Sequence, residues 1–423
     1  MLKSKLESTV KYRAANAWEF IRFFGKWVGI AALIGIVGGF VGSLFYSSVV
    51  MATDARNAAP WLVYFLPLAG LIIAGMYKVL NLEGENTNGI IDAILLGRNV
   101  PYALTPAIFG ATVLTHLFGG SAGREGAALQ IGGSIGCNVG KIVKLDEKEE
   151  RLAVLAGMSA VFSALFGTPI AAIVFALEVC SVGIIHYSGL VPCGVASLVA
   201  FGITRLCGIA PTRFAMVAAE RGMPLLLKVV VLAVLCAALS VVFCRIMHAS
   251  GKIASRTVGN PFLRAFVGGL VLVGLTLLVG NNDYNGGGVD VIVRAVEQGK
   301  ADVPAFAWKM LFTAITLGCG FKGGEIVPTF FIGATFGCVI GPLLGIPAGF
   351  AAAIGLAATF CGAVNCPLTS VILATELFGS EYIVYFASAC FIAYMHSGYT
   401  SLYEEQKIIY SKLKAEYINI KAE

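Results

Sequence analysis

Two glutamates of this chain lie in glycine-dense turns that lead directly into apolar stretches. Glu125 lies in the turn at residues 119–126, and Glu325 lies in the turn at residues 318–328. Glycine allows the backbone to approach an ion closely, and the first turn of a helix leaves N–H groups unpaired at the positive end of its dipole. Each turn therefore predicts an anion site made of backbone amides, with a titratable acid beside it.

Glu125 is the residue that we expect to couple a proton to the anion. A carboxylate at the centre of a membrane helix costs about 2.5–3.5 kcal/mol even on the permissive insertion scale, which makes it a functional candidate. The structural alternative is an ion pair with Arg124. Because adjacent helical residues do not face each other, we expect no such pair. At a helix start the carboxylate can itself occupy the anion position, and protonation would release it.

Glu325 belongs to the second turn, where a fixed negative charge would repel an anion. Four interpretations stay open. The carboxyl is protonated when the anion is near, is held away by a cation, is a second proton carrier, or is a structural group bonded to backbone amides. Lys322, three residues earlier, is the most available cation.

The composition places these turns in a polytopic membrane protein of the all-α class. Of 423 residues, 58% are apolar and 13% are charged, whereas an average soluble domain has about 25% charged residues. A bilayer-spanning helix needs about 20 apolar residues. Several apolar runs are too long or too broken for one span, so we expect half-length helices. The runs lie near residues 28–52, 60–80, 101–119, 126–143, 152–180, 188–207, 224–247, 262–281, 304–320, 326–346, 348–378 and 382–398.

The charged flanks predict the orientation and the domain organisation. The net charge of +6 is spread along the chain, which predicts no nucleic-acid partner. We divide the chain into a cytoplasmic amphipathic helix at residues 1–26, a transmembrane region at 27–401, and a last helix with a short cytoplasmic tail at 402–423. By the positive-inside rule, six basic residues before the first span place the N-terminus in the cytoplasm, in a plasma or inner membrane. They are Lys3, Lys5, Lys11, Arg13, Arg22 and Lys26.

An internal repeat divides the membrane region into halves at about residues 25–205 and 225–400. Glu178 and Glu376 lie 198 positions apart, and each follows a proline by nine residues. Their equivalent positions predict a shared structural role near helix ends. Repeats of this kind place a transport site between the halves, near the bilayer midplane. A second set, offset by 201, pairs Gly123, Ile131, Gly132, Gly136, Cys137 and Gly140 with Gly324, Ile332, Gly333, Gly337, Cys338 and Gly341.

The remaining chemistry-bearing residues favour neither a metal site nor an enzyme. Eleven cysteines form no CxxC pair, and four histidines show no metal-ligand spacing, so we predict no metal and no cofactor. An intramembrane hydrolase would use Glu125 as a base, with Ser121 or His116 as its partner. Neither partner has a counterpart in the second half, so we expect a transporter and not an enzyme.

Four motifs resemble those of the CLC family of anion channels and anion/proton exchangers. Residues 123–126 (Gly-Arg-Glu-Gly), followed by 130–133 (Gln-Ile-Gly-Gly), resemble the GREG block of that family. Residues 324–328 (Gly-Glu-Ile-Val-Pro) resemble its GxFxP block. Residues 88–90 (Asn-Gly-Ile) stand where the family has Ser-Gly-Ile, and 401–403 (Ser-Leu-Tyr) resemble its tyrosine site.

The resemblance implies a homodimer in the lipid bilayer, with one anion pathway in each subunit between two inverted halves. Glu125 matches the gating glutamate, whose carboxylate competes with the anion and carries a proton. Tyr403 matches a tyrosine that contacts the central anion, and Tyr399 is the alternative. Glu325 matches the filter segment. The anion-binding residues implied by the resemblance are Asn88, Tyr403, Arg124, Gly126, Ile326 and Val327, the last four through their backbone.

Departures from the family pattern resemble its bacterial fluoride-selective branch, which exchanges fluoride for protons. Asn88 replaces the central serine, and Ala127 replaces the proline after GREG. Glu325 replaces an aliphatic residue, and Val179 stands where chloride/proton exchangers often have an inner relay glutamate. We therefore expect a proton-coupled fluoride exporter. Chloride/proton exchange or passive chloride conduction by the same fold is the alternative.

Asn88 is open to two interpretations. The Asn-Gly pair is a strong turn signal, which would make it structural. As a ligand, its amide offers two donors where serine offers one. Fluoride is smaller and more strongly hydrated than chloride, so replacing its water shell takes more or better-aimed donors. The wider resemblance favours the ligand.

Overall fold

The chain folds as a bundle of α-helices, many of them shorter than a bilayer is thick. The computed structural model describes the backbone of residues 2–423 and the side chains of residues 18–423. Sixteen α-helices lie within that backbone range, which confirms the all-α fold. The first eight are α1 (Leu2–Ala58), α2 (Leu66–Val79), α3 (Thr87–Leu96), α4 (Leu104–Leu117), α5 (Glu125–Ile142), α6 (Glu147–Phe166), α7 (Pro169–Glu178) and α8 (Leu190–Leu206).

The second half also contains both long and short helices. Six helical segments among the described residues are long and apolar enough to cross a membrane. Shorter apolar helices have 10–17 residues, as the broken runs predict. The second eight helices are α9 (Met223–Thr257), α10 (Pro261–Val279), α11 (Val289–Glu297), α12 (Ala305–Gly318), α13 (Ile326–Leu343), α14 (Ala348–Val364), α15 (Pro367–Phe378) and α16 (Ile383–His396), and 3₁₀ helices lie at Pro60–Phe65, Tyr187–Gly189 and Ser380–Tyr382.

Two long apolar runs are each divided into a long helix and a short one. Gly167 ends α6 with φ 68°, and Asn365 ends α14 with φ 56°, both in the left-handed region. A left-handed residue ends a helix, and a proline two positions later begins α7 and α15. Proline suits the first helical position because its missing N–H would be unpaired there. The sequence thus specifies both breaks locally.

The two halves have the inverted arrangement that the resemblance implies. Helices α5 and α13 both have 18 residues and begin 201 positions apart. Glu178, at the end of α7, accepts backbone N–H groups from the first turn of α15 at 3.2 and 2.9 Å. Glu376, near the end of α15, accepts two from the first turn of α7 at 3.1 and 2.8 Å. Each short helix therefore caps the other, so the pair is antiparallel and the halves are inverted. The shared structural role expected of these glutamates is confirmed.

Glycines allow the long helices of each half to pack backbone against backbone. A Cβ on Gly132 of α5 would overlap the carbonyl of Gly157 in α6. In the second half, a Cβ on Gly333 of α13 would overlap the carbonyl of Gly355 in α14. Small residues drive such contacts in membranes, where apolar burial alone does not distinguish protein from lipid. This packing fixes the direction in which α5 and α13 point their first turns.

The prediction of a last helix at residues 402–423 is wrong. Instead, β2 (Lys407–Tyr410) and β3 (Tyr417–Lys421) form an antiparallel pair, and β2 also pairs in parallel with β1 (Ser181–Val182). The tail (residues 402–423) is rich in Ile and Tyr, which favour strands, and it gains pairing partners that local sequence does not reveal. The strands hold the tail against the helices.

The N-terminal segment is continuous with the first long helix. Helix α1 extends through the expected boundary at residue 26 without a break. The amphipathic pattern predicted for residues 1–26 concerns side chains that, up to residue 17, lie outside the described part of the chain. Lys26 forms an ion pair with Glu149, near the start of α6.

Replacing Glu178 with alanine is expected to destabilise the protein, because buried N–H groups of α15 and the Thr369 hydroxyl lose their acceptor. Bonds to a charged group contribute about 1.5–3 kcal/mol, so we expect a loss of about 2 kcal/mol or more. Thermal unfolding in detergent measures this as a lower midpoint. The control Glu381→Ala removes an exposed partner of Arg221 and should change little. Equal midpoints for the two variants would contradict the capping role.

Candidate anion site between two helix ends

A pair of backbone hydrogen bonds joins the two glycine-dense turns. The N–H of Gly123 donates to the carbonyl of Gly324 at 2.7 Å, and the N–H of Gly324 donates to the carbonyl of Gly123 at 2.8 Å. Helix α5 begins two residues after one glycine, and α13 begins two residues after the other. The starts of the two helices therefore lie together, inside the protein and at the interface of the two halves.

Both helix starts present backbone N–H groups without helical partners. The first helical bond of α5 is from Ala128 to Arg124, and that of α13 is from Thr329 to Glu325. The N–H groups before them, including those of Gly126, Ile326 and Val327, make no helical hydrogen bond, because the chain four residues earlier is not yet helical. Within the described side chains, neither helix has a side-chain cap. The two dipoles point their positive ends at one region, which suits an anion.

The carboxylate of Glu125 lies against the start of its own helix. Glu125 is 1% exposed, and its Oε2 accepts the N–H of Arg124 at 2.9 Å. The Nε of Arg124 lies 3.4 Å from Oε1, so the expectation of no ion pair between these residues is wrong. Arg124 is the N-cap residue and lies before the helical turn, so the rule for adjacent helical residues does not apply to it. Its guanidinium also stacks on the ring of Tyr46, 4.2 Å from the centroid.

Glu325 reaches across to the other half. A Cβ on Gly126 would lie 2.7 Å from its Oε2, so the carboxyl contacts the first turn of α5. This oxygen is buried and has no hydrogen-bond partner among the described residues. Lys322 is not its partner, contrary to expectation. The Lys322 ammonium donates to the carbonyl of Glu85 at 3.2 Å and lies 4.1 Å from the ring centroid of Tyr77.

Asn88 belongs to the first turn of α3 and not to an isolated turn. Its Oδ1 accepts the N–H of Glu405 at 3.4 Å. This contact occupies the oxygen of the Asn88 amide. Asn86 precedes it as the N-cap residue and accepts the N–H of Gly89 at 3.3 Å. The helix start, and not the Asn-Gly pair alone, fixes the position of Asn88.

The structure distinguishes the two candidate tyrosines. Tyr403 is 1% exposed, and its hydroxyl has no hydrogen-bond partner within the described part of the chain. The Tyr399 hydroxyl instead bonds to Ser411 at 2.8 Å. Of the two hydroxyls, that of Tyr403 is therefore the one without a hydrogen-bond partner among the described residues.

Sequence reasoning missed two buried cations near a cavity of about 310 Å³ that leads to Glu125 and Arg124. Arg56 lines this cavity, is 4% exposed and donates to the carbonyl of His116 at 3.1 Å. Lys309 is fully buried and donates to two carbonyls of the 284–286 loop at 3.1 and 2.6 Å. Neither has a carboxylate partner within the described residues. A lysine inside the apolar run at 304–320 was itself a signal of function.

The chain is similar to known proteins over most of its length. Residues 69–398 match the family described as voltage gated chloride channel. A chloride/fluoride channel protein of Pseudomonas syringae pv. tomato is 34% identical over 418 residues, covering 95% of this chain and 91% of the relative. An H(+)/Cl(-) exchange transporter of Vibrio vulnificus is 25% identical over 395 residues, covering 84% of this chain and 82% of the relative.

Solved structures show the same architecture. The crystal structure of a CLC-type fluoride/proton antiporter matches with a TM-score of 0.86 and 29% identity, covering 90% of this chain and 98% of that one. A slow cyanobacterial Cl⁻/H⁺ antiporter matches with a TM-score of 0.73 and 20% identity, covering 88% and 94%, which shows a likeness of fold. The family match over residues 69–398 and the relative 34% identical along nearly the whole chain show that this chain belongs to the voltage-gated chloride channel (CLC) family.

Proposed function

We propose that this protein is a proton-coupled fluoride antiporter that exports fluoride across the cell membrane, with Glu125 as the gate. The observation that carries the proposal is the buried Glu125 carboxylate, held against the uncapped start of α5. Two comparisons support fluoride as the transported anion. The Pseudomonas syringae relative is named a chloride/fluoride channel protein, and one well-matched solved structure is that of a CLC-type fluoride/proton antiporter.

Competition for one position couples the two ions. The charged Glu125 carboxylate accepts the N–H of Arg124, so it occupies a donor that an anion would otherwise use. Protonation removes its charge and weakens that bond, because charge-assisted hydrogen bonds are about twice as strong as neutral ones. The neutral side chain then leaves, and fluoride takes the donors. Proton binding and anion binding at the helix start therefore depend on each other.

Selectivity for fluoride rests on the donors and acids around the path. The Asn88 amide directs two donors toward the ligand, since its oxygen is already occupied by Glu405. Glu325 contributes a second buried carboxyl with an unpartnered oxygen. When protonated it would donate to fluoride, which is a stronger acceptor than chloride. Chloride transport by the same fold is the second candidate, favoured by the likeness to the Vibrio vulnificus exchanger.

The cellular setting follows from the same reasoning. Fluoride is the anion of a weak acid, so it accumulates in cells when the undissociated acid leaks inward, and exchange with entering protons drives it out. We place the protein in the plasma or inner membrane with its N-terminus in the cytoplasm, as a homodimer with one pathway in each subunit.

Purified protein in liposomes is expected to release fluoride much faster than chloride. The physical reason is the supply of strong donors at the helix starts and at Asn88. Liposomes loaded with either anion and monitored with ion-selective electrodes give the two rates. Chloride released as fast as fluoride would refute fluoride selectivity while leaving anion transport intact.

The variant Glu125→Gln is expected to abolish fluoride-driven proton uptake, because an amide cannot exchange a proton with the pathway. A pH-sensitive dye inside the liposomes measures the uptake against a fluoride gradient. The control Glu381→Gln changes an exposed carboxylate and should behave as wild type. Proton uptake in Glu125→Gln at the wild-type rate would remove Glu125 from the mechanism.

The variant Asn88→Ser is expected to reduce the ratio of fluoride to chloride flux by about tenfold, since it removes one donor to a charged ligand worth about 1.5 kcal/mol. The same two release assays measure this ratio. Asn138→Ser is the matched control, because the Asn138 amide bonds only within α5, to Ser134 at 2.7 Å, as far as the described side chains show. A ratio equal to that of the control would exclude Asn88 as a source of selectivity.

A further inference from the structure

The side-chain amide of Gln406 joins the two halves beneath the site. Gln406 is fully buried. Its Nε2 donates to the carbonyl of Val179 at 2.7 Å and to that of Val364 at 2.8 Å, and its Oε1 accepts the amide of Asn365 at 3.0 Å. Val179 follows α7 in the first half, and Val364 ends α14 in the second. The two N–H groups of the amide bond to one carbonyl in each half, so Gln406 holds these two carbonyls at a fixed distance from each other.

Backbone contacts tie Gln406 to the proposed anion ligands. The N–H of Gln406 donates to the carbonyl of Tyr403 at 3.1 Å, and the N–H of Glu405 donates to Oδ1 of Asn88 at 3.4 Å. The Tyr403 hydroxyl has no bond of its own among the described residues. Its position therefore depends on the backbone turn at residues 403–406 and on packing. A movement of Gln406 would displace both ligands together.

A second layer of contacts closes the tail over Gln406. The N–H of Ala422, next to the last residue, donates to the carbonyl of Gln406 at 2.9 Å. The Lys412 ammonium donates to Oδ1 of Asn365 at 2.5 Å, and also to the carbonyl of Tyr394 at 2.8 Å and Oγ of Ser397 at 3.1 Å. Asn365 thus donates to Gln406 through its Nδ2 and accepts from Lys412 through its Oδ1. Gln406 lies inside a fully bonded network.

We propose that Gln406 is a positioning residue for transport, which sets Tyr403 and Asn88 at the correct distance from the starts of α5 and α13. It does not contact the anion. It acts by fixing the turn at residues 403–406 to both halves at once. This proposal rests on the assignment of Tyr403 and Asn88 as anion ligands in the proposed function.

Only an amide of this length satisfies the position. Glutamate would direct an acceptor at the two carbonyls, since a carboxylate lacks donors. Methionine fills a similar volume but leaves both carbonyls unpaired. Asparagine keeps the amide and is one methylene too short to reach both carbonyls while its backbone stays bonded to Tyr403. Comparing these substitutions distinguishes the contribution of the hydrogen bonds from that of the side-chain volume.

The first test measures fluoride exchange by Gln406→Asn and Gln406→Met in liposomes over a range of fluoride concentrations. We expect the half-saturating fluoride concentration to rise about threefold to tenfold, as for the loss of one or two hydrogen bonds that hold a ligand in place. The number of protons moved per anion should stay unchanged, because Glu125 is not altered. Gln298→Met, at the end of α11, is the matched surface control.

A role in stability alone would give a different result. Glu178→Gln weakens bonds between the halves without touching the 403–406 turn, and it serves as the stability reference. Glu178 precedes Val179, a partner of Gln406, so Glu376→Gln, which weakens the equivalent bonds to Ile170 and Ala171, is the second reference. If Gln406→Asn raises the half-saturating concentration no more than Glu376→Gln does, the positioning role is overturned. Loss of the cooperative unfolding transition in both Gln406 variants would likewise show an ordinary structural residue.

A double-mutant cycle tests the route through Tyr403. Fluoride binding in detergent, measured by calorimetry, is compared for wild type, Tyr403→Phe, Gln406→Asn and the double variant. We expect Gln406→Asn to add little once the hydroxyl is gone, because interacting residues are non-additive. Full additivity would overturn the proposal. If wild type moves chloride as well as fluoride, the proposed selectivity fails, and the same cycle with chloride still decides the role of Gln406.

Discussion

Bare amide hydrogens at two helix starts are the constraint on which this structure depends. Two hydrogen bonds between Gly123 and Gly324 bring the starts together. Unpaired N–H groups away from water are costly, so the region requires a negative partner. The Glu125 carboxylate supplies one, and a transported anion can replace it. Glycine is required here because a Cβ on Gly126 would lie 2.7 Å from the Cα of Gly324. Any larger residue at this position would push the two helix starts apart, and their N–H groups would no longer face one region.

The rest of the fold orients these helix starts. Backbone-to-backbone packing of α5 on α6 and of α13 on α14 sets their directions, and equivalent glycines do this in both halves. The short helices α7 and α15 lock the halves to each other through Glu178 and Glu376. The tail adds a third connection at Gln406. A site whose ligands come from both halves needs all three, since a shift of either half would change every donor distance.

Sequence predicted what is encoded locally or by repetition. Glycine turns before apolar helices identified Glu125 and Glu325. The offsets of 198 and 201 residues identified the two homologous halves and the paired glutamates, and the family resemblance implied that the halves are inverted. Contacts between segments that are distant in the chain could not be predicted from the sequence. Lys322 bonds to the carbonyl of Glu85 and not to Glu325, because the chain folds back over more than two hundred residues. The tail forms strands because β2 pairs with the edge of β1, a distant partner that the local sequence of the tail does not predict. The ion pair between Arg124 and Glu125 was not predicted, because Arg124 was treated as a helical residue. It is the N-cap residue, one position before the helix begins.

The mutual capping of α7 and α15 has a consequence for biogenesis. The first half leaves the ribosome before the second exists, and the start of α7 receives its acceptor from Glu376, 206 residues after Ile170. Until then, two amide hydrogens and the charged Glu178 stand unpaired near the lipid, where every polar backbone group needs a partner. Insertion of the first half therefore yields an incomplete intermediate. Its lifetime depends on the speed of synthesis and on any factor in the membrane that shields polar helix ends.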